Sequence, residues 1–206
     1  LADQGKTGNW LVDPVDFTVA SSGGDMTNTA LQSSLATTNV ELQSAAGATA
    51  GSGDINIDDD VSWTSNKTLT LTASNNVNVN ANISATGSTA GLVIQPNTTH
   101  TAGGVTQTAT GTGEFNLQID NSITLSGSSP TLSIAGNSYT VINSLGTSTS
   151  SGDGSLQGMQ GNLAGYYALG SDIDASATSS WNSGNGFTPI ANNSYFSGIL
   201  HGLGHY

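Results

Sequence analysis

Acidic side chains are the residues of this sequence that could do hydrolytic chemistry. Asp172 and Asp174 are separated by one residue, so on a β-strand they would share a face, and Asp120 is a third candidate. A carboxylate pair can hydrolyse a glycosidic bond when one carboxyl group stays protonated inside a cleft. Asp-rich turns are the commoner use of such residues, and the chain has no Arg to stabilise a developing negative charge. We therefore predict that the protein is not an enzyme, and keep a carbohydrate-active enzyme as the alternative.

Two other groups of residues have metal-binding chemistry. The three consecutive Asp residues 58–60 offer hard oxygen ligands for Ca²⁺, and His201 and His205 have the spacing of zinc ligands on a helix. Three adjacent carboxylates on a strand or turn point in different directions, however, and the two Gly residues between the His residues disfavour a helix. We interpret both groups as turn residues and predict no metal ion and no cofactor.

Sugars could be attached to this chain or bound by it. Four Asn residues begin Asn-x-Ser/Thr acceptor sequences: Asn66, Asn82, Asn97 and Asn192. A chain this rich in Asn and Thr also produces such triplets by chance. Three aromatic side chains could stack on a glycan, namely Tyr166, Tyr167 and Trp181, although packing in a core is the alternative role.

The charge composition excludes some partners. The chain has 2 Lys, no Arg and 14 acidic residues, which gives a formal net charge of −12. Nucleic acids and anionic lipids are bound through Lys and Arg, so we predict neither as a partner. There is no Cys and no long apolar run, so the sequence predicts neither a disulfide framework nor a membrane span.

An apolar pattern recurs along the middle of the chain, and it must position these candidate residues. It takes the form of three copies: Ile55-x-Ile57-x3-Val61, Val77-x-Val79-x3-Ile83 and Leu117-x-Ile119-x3-Ile123. Each copy is followed by a second apolar pair: Leu69 and Leu71, Leu92 and Ile94, and Leu132 and Ile134. Short alternating strands that return every 20 to 25 residues are typical of one turn of a β-solenoid, which buries its apolar row only by stacking. We predict an all-β parallel solenoid with nearly no helix and with these residues in one core. In-register stacking of the first two copies would pair Ile57 with Val79 and Val61 with Ile83.

Composition divides the chain into ranges. We predict an irregular β segment in 1–53, regular solenoid coils in 54–143 with an insertion at 95–114, a Ser- and Gly-rich excursion in 144–165, and further solenoid coils, cut short, in 166–206.

Several strings in the sequence resemble a known family. They are Gly8-Asn9-Trp10-Leu11-Val12-Asp13-Pro14, Gly53-Asp54-Ile55-x-Ile57-x3-Val61-x-Trp63, Tyr139-Thr140-Val141-Ile142, Tyr167-Ala168-Leu169-Gly170-x-Asp172-Ile173-Asp174-Ala175 and Phe196-x-Gly198-x-Leu200-x-Gly202-Leu203-Gly204-His205. Together they are similar to the large exoproteins of bacterial two-partner secretion, the filamentous haemagglutinin and high-molecular-weight adhesin group, including their Gly-Leu-Gly repeat segment. The chain resembles an internal fragment of such an exoprotein.

The resemblance implies a right-handed parallel β-helix that is exported through a partner outer-membrane pore and displayed at a Gram-negative cell surface. There it would act as an adhesin, a filament or a contact stalk, with a glycan or protein receptor on a host or bacterial surface and with self-association as a further expectation. Some members of that family are Asn-glycosylated, which is relevant to the four acceptor sequences. An end-to-end filament subunit is the remaining alternative.

Overall fold

The computed structural model describes residues 10–12, 15–44, 51–102, 105–192 and 194–206. Within them β-strands are the main regular secondary structure, and most neighbouring strands are parallel, so the predicted all-β class is confirmed. The strands are β1 Trp10–Val12, β2 Phe17–Ala20, β3 Met26–Thr27, β4 Val40–Gln43, β5 Ile55–Ile57, β6 Val61–Trp63, β7 Thr68–Thr72, β8 Val77–Val79, β9 Ile83–Ala85, β10 Gly91–Gln95, β11 His100–Ala102, β12 Val105–Gln107, β13 Phe115–Leu117, β14 Ile123–Leu125, β15 Thr131–Ile134, β16 Asn137–Ile142, β17 Tyr166–Leu169 and β18 Ile199–His201.

Successive strands join different sheets. Sheet A has the order β1-β4-β7-β10-β15-β16-β17-β18, sheet B the order β13-β8-β5-β2-β3, and sheet C the order β14-β9-β6. The chain therefore visits A, B and C through β4, β5 and β6, and repeats that visit through β7, β8 and β9. Each new triplet lies directly beside the previous one, so residues about 22 positions apart become hydrogen-bonded neighbours.

The predicted register between the first two copies is confirmed. Ile57 pairs with Val79 in sheet B, and Val61 pairs with Ile83 in sheet C. All four side chains are at most 1% exposed. Alternation along a strand places every second residue inside, so the apolar residues of the three sheets meet in one core while Asn, Ser and Thr face outward.

The third copy has a different register from the one predicted. Phe115 pairs with Val77 and Leu117 pairs with Val79, whereas Ile123 still pairs with Ile83. Two extra residues therefore separate β13 from β14, and they form a turn in which Ile119 is 85% exposed. The prediction that Ile119 points into the core is wrong. The repeat in sheet B is Phe-Asn-Leu over Val-Asn-Val, not Leu-Gln-Ile.

The chain reverses direction after β15. β15 and β16 form an antiparallel hairpin whose two-residue turn is Ala135 and Gly136, with φ of 49° and 79°. Positive φ at both turn residues matches the twist of the two strands. β16, β17 and β18 are then parallel to one another and extend sheet A in the opposite direction. In the part of the chain that the structure describes, no strand follows β13 in sheet B or β14 in sheet C.

One α-helix, α1 at Asn28–Leu35, lies beside sheet C where the sequence predicted nearly no helix. The side chain of Thr27 caps its first turn by accepting a hydrogen bond from the Ala30 N–H. Leu31 and Leu35 are fully buried, and the Ser62 hydroxyl donates to Gln32 Oε1 at 2.8 Å. The helix thereby covers the β6 edge of sheet C.

The remaining predicted ranges contain shorter elements. In the range 95–114, β11 and β12 pair antiparallel in a separate two-stranded sheet. The range 144–165 contains the 3-10 helix Gln157–Gly161, and Met159 packs there with Ile142 and Tyr167 in a second small core. Two short 3-10 turns lie within Ser176–Gly184 and are separated by a kink at Trp181, Asn182 and Ser183. Residues 1–9, 13–14 and 45–50 of the predicted irregular segment lie outside the described residues.

Asp153 in the Ser- and Gly-rich range predicts a pH effect on stability. Hydrogen bonds from Ser150 and Ser155 hold the pKa of Asp153 below its ordinary value. A depressed pKa in the folded protein contributes stability at neutral pH that is lost as the pH falls below about 4. We expect the difference in unfolding free energy between the wild type and Asp153→Asn to shrink on acidification, measured by urea unfolding from about pH 6 to pH 2. A difference that does not change with pH would contradict this assignment.

Candidate functional site

Polar ladders on the outer faces are the most regular chemical feature of the molecule. In the middle of sheet B, Asn78 Nδ2 donates to Asn56 Oδ1 at 2.9 Å, and Asn116 Nδ2 donates to Asn78 Oδ1 at 3.0 Å. The three Asn side chains therefore form a ladder between successive repeats. Each rung joins the side chains of two stacked strands, so the ladder fixes their register in addition to the backbone bonds.

A second ladder precedes the strands of sheet B. Asp16 Oδ1 accepts from the Asp54 N–H at 3.1 Å, Asp54 Oδ1 accepts from the Asn76 N–H at 2.9 Å, and Asn76 Oδ1 accepts from the Glu114 N–H at 2.9 Å. A side-chain oxygen here caps the backbone of the next repeat at every step. The carboxylates of Asp16 and Asp54 therefore stabilise the stacking of the repeats and are not free.

The run 58–60 belongs to the same system. Asp58 Oδ1 accepts from Asn80 Nδ2 at 2.8 Å, and Asp60 Oδ1 accepts from the Asn82 N–H at 2.9 Å. Asp59 accepts from the N–H of Asp60. No group of three or more His, Asp or Glu residues in the described ranges is arranged to hold a metal ion.

All of these rungs have the same direction. In each, the acceptor oxygen belongs to the earlier repeat and the donor to the later one. The two ends of the stack are therefore chemically different. Sequence periodicity predicts which residues stack but not this direction, because an Asn side chain can donate or accept.

The structure separates the three aromatic candidates. Tyr166 is half-buried against Tyr139, with ring centroids 5.4 Å apart. Tyr167 is only 6% exposed, burial raises its pKa, and its hydroxyl donates to the Asn162 carbonyl at 2.7 Å. Trp181 is half-buried and stacks on Phe187 with ring centroids 6.1 Å apart. The described ring contacts do not join Trp181 to either tyrosine, so these residues do not form one stacking platform.

The four glycosylation acceptors differ in access. Asn66 and Asn192 are exposed, whereas Asn82 and Asn97 are half-buried. Asn82 Nδ2 donates to Asp60 at 3.2 Å, and a glycan on that nitrogen would compete with the ladder. Asn97 has a φ of 50°, and its Oδ1 accepts from the Gly111 N–H at 2.7 Å.

The carboxylate candidates for hydrolysis have local partners. Hydrogen bonds from Ser176 hold the pKa of Asp174 below its ordinary value, whereas a general acid needs a raised one. Asp172 lies 3.1 Å from His205 Nδ1, and Asp120 occupies a turn with a φ of 70°. The His205 ring also contacts the Ile123 carbonyl through Nε2 at 3.1 Å.

His201 lies apart from that pair. Its ring packs on Tyr139, with centroids 5.5 Å apart, and on Phe115, with centroids 6.5 Å apart. These aromatic residues border a groove of about 350 Å³ between β13 and β18, which Ile134 and Ile199 also line. This groove was not predictable from the sequence, because the groove forms only when the chain reverses direction after β15.

Comparison with protein-family models, with curated proteins and with solved structures finds no match for this chain. No helix in the described ranges has both the length and the apolar character needed to cross a bilayer.

Proposed function

We propose that the chain is part of a parallel, right-handed β-solenoid rod, secreted and displayed at a Gram-negative cell surface as an adhesin or contact stalk. The main support for this proposal is that the chain passes through sheets A, B and C repeatedly and in register. Ile57 pairs with Val79, and Val61 pairs with Ile83. Stacked repeats with one shared core produce an elongated body whose length grows by about 4.8 Å per repeat.

The outward residues support a contact surface more than a catalytic one. Asn, Thr and Ser side chains line the outer faces, and a large share of their hydrogen-bonding capacity is used within ladders. A groove of about 420 Å³ beside β16 is lined mainly by Ser, Gly and Thr residues and contains Asp153, whose pKa is lowered. A shallow polar face of this kind suits many weak contacts with glycans or proteins that add up when copies are displayed together.

The family resemblance supplies the rest of the proposal. Export through a partner outer-membrane pore, a surface receptor on a host or bacterial cell, and self-association come from that resemblance. The net charge of −12 disfavours polyanionic partners such as nucleic acids and anionic lipids. It is compatible with a protein that works outside the cell.

Display at high density tests the adhesive role. Beads carrying the fragment should bind glycan arrays or host cells at least about a hundredfold more strongly than the soluble monomer does, because linked weak contacts raise the effective concentration. Beads carrying Trp181→Ala test whether the half-buried Trp181 ring contributes to this binding by stacking on a sugar. Failure of the beads to bind would exclude an adhesive role for this part of the rod. Reducing-sugar release that is lost in Asp172→Asn would instead establish the enzyme.

A further inference from the structure

β13 leaves one edge of sheet B open. The Glu114 carbonyl accepts from the Val77 N–H at 3.0 Å, and the Gln118 N–H donates to the Val79 carbonyl at 2.9 Å, so alternate backbone groups of this strand face β8. The N–H and C=O groups of Phe115 and Leu117 must therefore face the other way. Among the described residues no strand pairs with that side.

In the other two sheets, the strands of the same repeat, β14 and β15, do have hydrogen-bond partners on this side. Sheet A continues past β15 through β16, β17 and β18. In sheet C, the Ile123 N–H donates to the Leu203 carbonyl at 2.9 Å and the Leu125 N–H donates to the Gly170 carbonyl at 2.9 Å. Of β13, β14 and β15, only β13 therefore keeps unpaired backbone groups on this side within the described chain.

The ladders of sheet B also end at β13 with unused acceptors. Asn116 uses its Nδ2 as a donor to Asn78, and Glu114 uses its N–H as a donor to Asn76. In the earlier repeats the matching oxygens of Asn78 and Asn76 each accept from the next strand. The described residues provide no such donor for Asn116 Oδ1 or for the Glu114 carboxylate, and both residues are exposed.

An apolar groove lies beside the start of this edge. The half-buried ring of Phe115, the buried Ile134 and the 43% exposed Ile199 line the groove of about 350 Å³ described above. A strand laid along β13 would place its first inward side chain over Phe115, as Phe115 itself lies over Val77. The groove therefore offers room for an apolar residue at that position.

We propose that β13 is a docking edge for an extended segment of another polypeptide, bound parallel to it, with the pattern apolar-Asn-apolar. The backbone of Phe115 and Leu117 would pair with the segment, Asn116 Oδ1 would accept from its Asn side chain, and Glu114 would accept from the N–H before its first apolar residue. Ile55-Asn56-Ile57 and Val77-Asn78-Val79 show in this chain which strand satisfies that pattern. Addition of a strand to an open edge is a general mode of peptide binding.

The occupant is an extended segment and not the opposite end of a second copy. At the opposite edge of sheet B, β2 already pairs with β3 over Val19 and Ala20. Helix α1 covers the corresponding edge of sheet C through its contact with β6. A second copy would therefore bring a partly occupied edge without the apolar-Asn-apolar strand.

A capped peptide with the sequence of residues 75–85 tests this docking edge. Titration into the ¹⁵N-labelled protein should give saturable shifts and slower hydrogen exchange at the backbone amides of Phe115 and Leu117. Leu117→Pro should weaken binding about tenfold or more, because it removes an outward N–H that the β8 pairing does not use. Asn56→Ala, which removes a rung two strands away, should leave the affinity within about twofold.

A double-mutant cycle keeps the test decisive if Leu117→Pro perturbs the fold. Asn116→Ala in the protein and Asn→Ala at the peptide position that corresponds to Asn78 should each weaken binding, and the combined change should cost less than the sum. Additive losses would contradict the proposed rung between the two side chains. Absence of saturable binding at about millimolar peptide, the concentration that marks the weakest specific contacts, would overturn the proposal. Shifts confined to other surfaces would overturn it as well.

Discussion

Replacing Val79 by Asp is expected to lower the free energy of unfolding by several kcal/mol and to move the urea midpoint strongly downward. Val79 is fully buried and is stacked between Ile57 and Leu117 in sheet B. An uncompensated buried charge costs about 3 to 5 kcal/mol or more, against a typical total stability of about 5 to 15 kcal/mol. The sequence contains only two Lys and no Arg, so few cations could compensate for it.

Urea unfolding followed by circular dichroism measures this loss, and Ser84→Asp is the matched control. Ser84 lies in the neighbouring strand β9, on its outer face, between Ser62 and Thr124. An added charge there remains hydrated, so the expected cost is below about 1 kcal/mol. Equal losses in the two variants would mean that Val79 does not face the core.

Agreement between sequence and structure is best where two constraints act together. Ile55 and Ile57 alternate with polar residues, and the same alternation returns at Val77 and Val79, so both the inward face and the partner strand follow from the pattern. In the third copy the alternation alone was ambiguous. Leu117 and Ile119 alternate as well as Phe115 and Leu117 do, and only the pairing with β8 decides between them.

The other differences arise from features that leave little trace in the residue pattern. Helix α1 has only Leu31 and Leu35 as fully buried residues, which is too short an apolar repeat to predict a helix. The reversal after β15 depends on Ala135 at a positive φ, a conformation that Ala rarely adopts. The residue pattern therefore does not predict this turn. Both features arise from tertiary packing and not from local propensity.

The candidate site was predictable to a similar degree. Ile57 and Val79 were expected to stack, and the amide ladder between the neighbouring Asn56 and Asn78 follows from that register. The direction of the ladder and the open edge at β13 were not expected, because they depend on where pairing stops. Sequence periodicity describes what each repeat has in common, whereas a binding edge is formed where one repeat differs from the others.

Replacing Gly87 by Ala is expected to be among the most damaging single-methyl changes in the described chain. A Cβ at Gly87 would overlap the backbone carbonyl of Ser65 in the previous repeat, and a Cβ at Gly127 would overlap the carbonyl of Gly87. These backbones are stacked at one corner of the repeats, so neither can move without disturbing its strand register. Overpacking of this kind costs about 1 to 3 kcal/mol and occasionally more, and the rigid backbone contact places Gly87→Ala at the upper end of that range.

Gly202→Ala separates this steric effect from a general effect of losing glycine. The nearest atom to a Cβ at Gly202 is the His205 carbonyl oxygen at 3.4 Å, which is an ordinary contact. Its substitution should change stability by no more than about 0.5 kcal/mol, since Ala also restricts the unfolded chain. Denaturant midpoints of the two variants and the wild type provide the comparison. If Gly87→Ala is as mild as Gly202→Ala, the repeats cannot be stacked as closely at this corner as Ser65, Gly87 and Gly127 require.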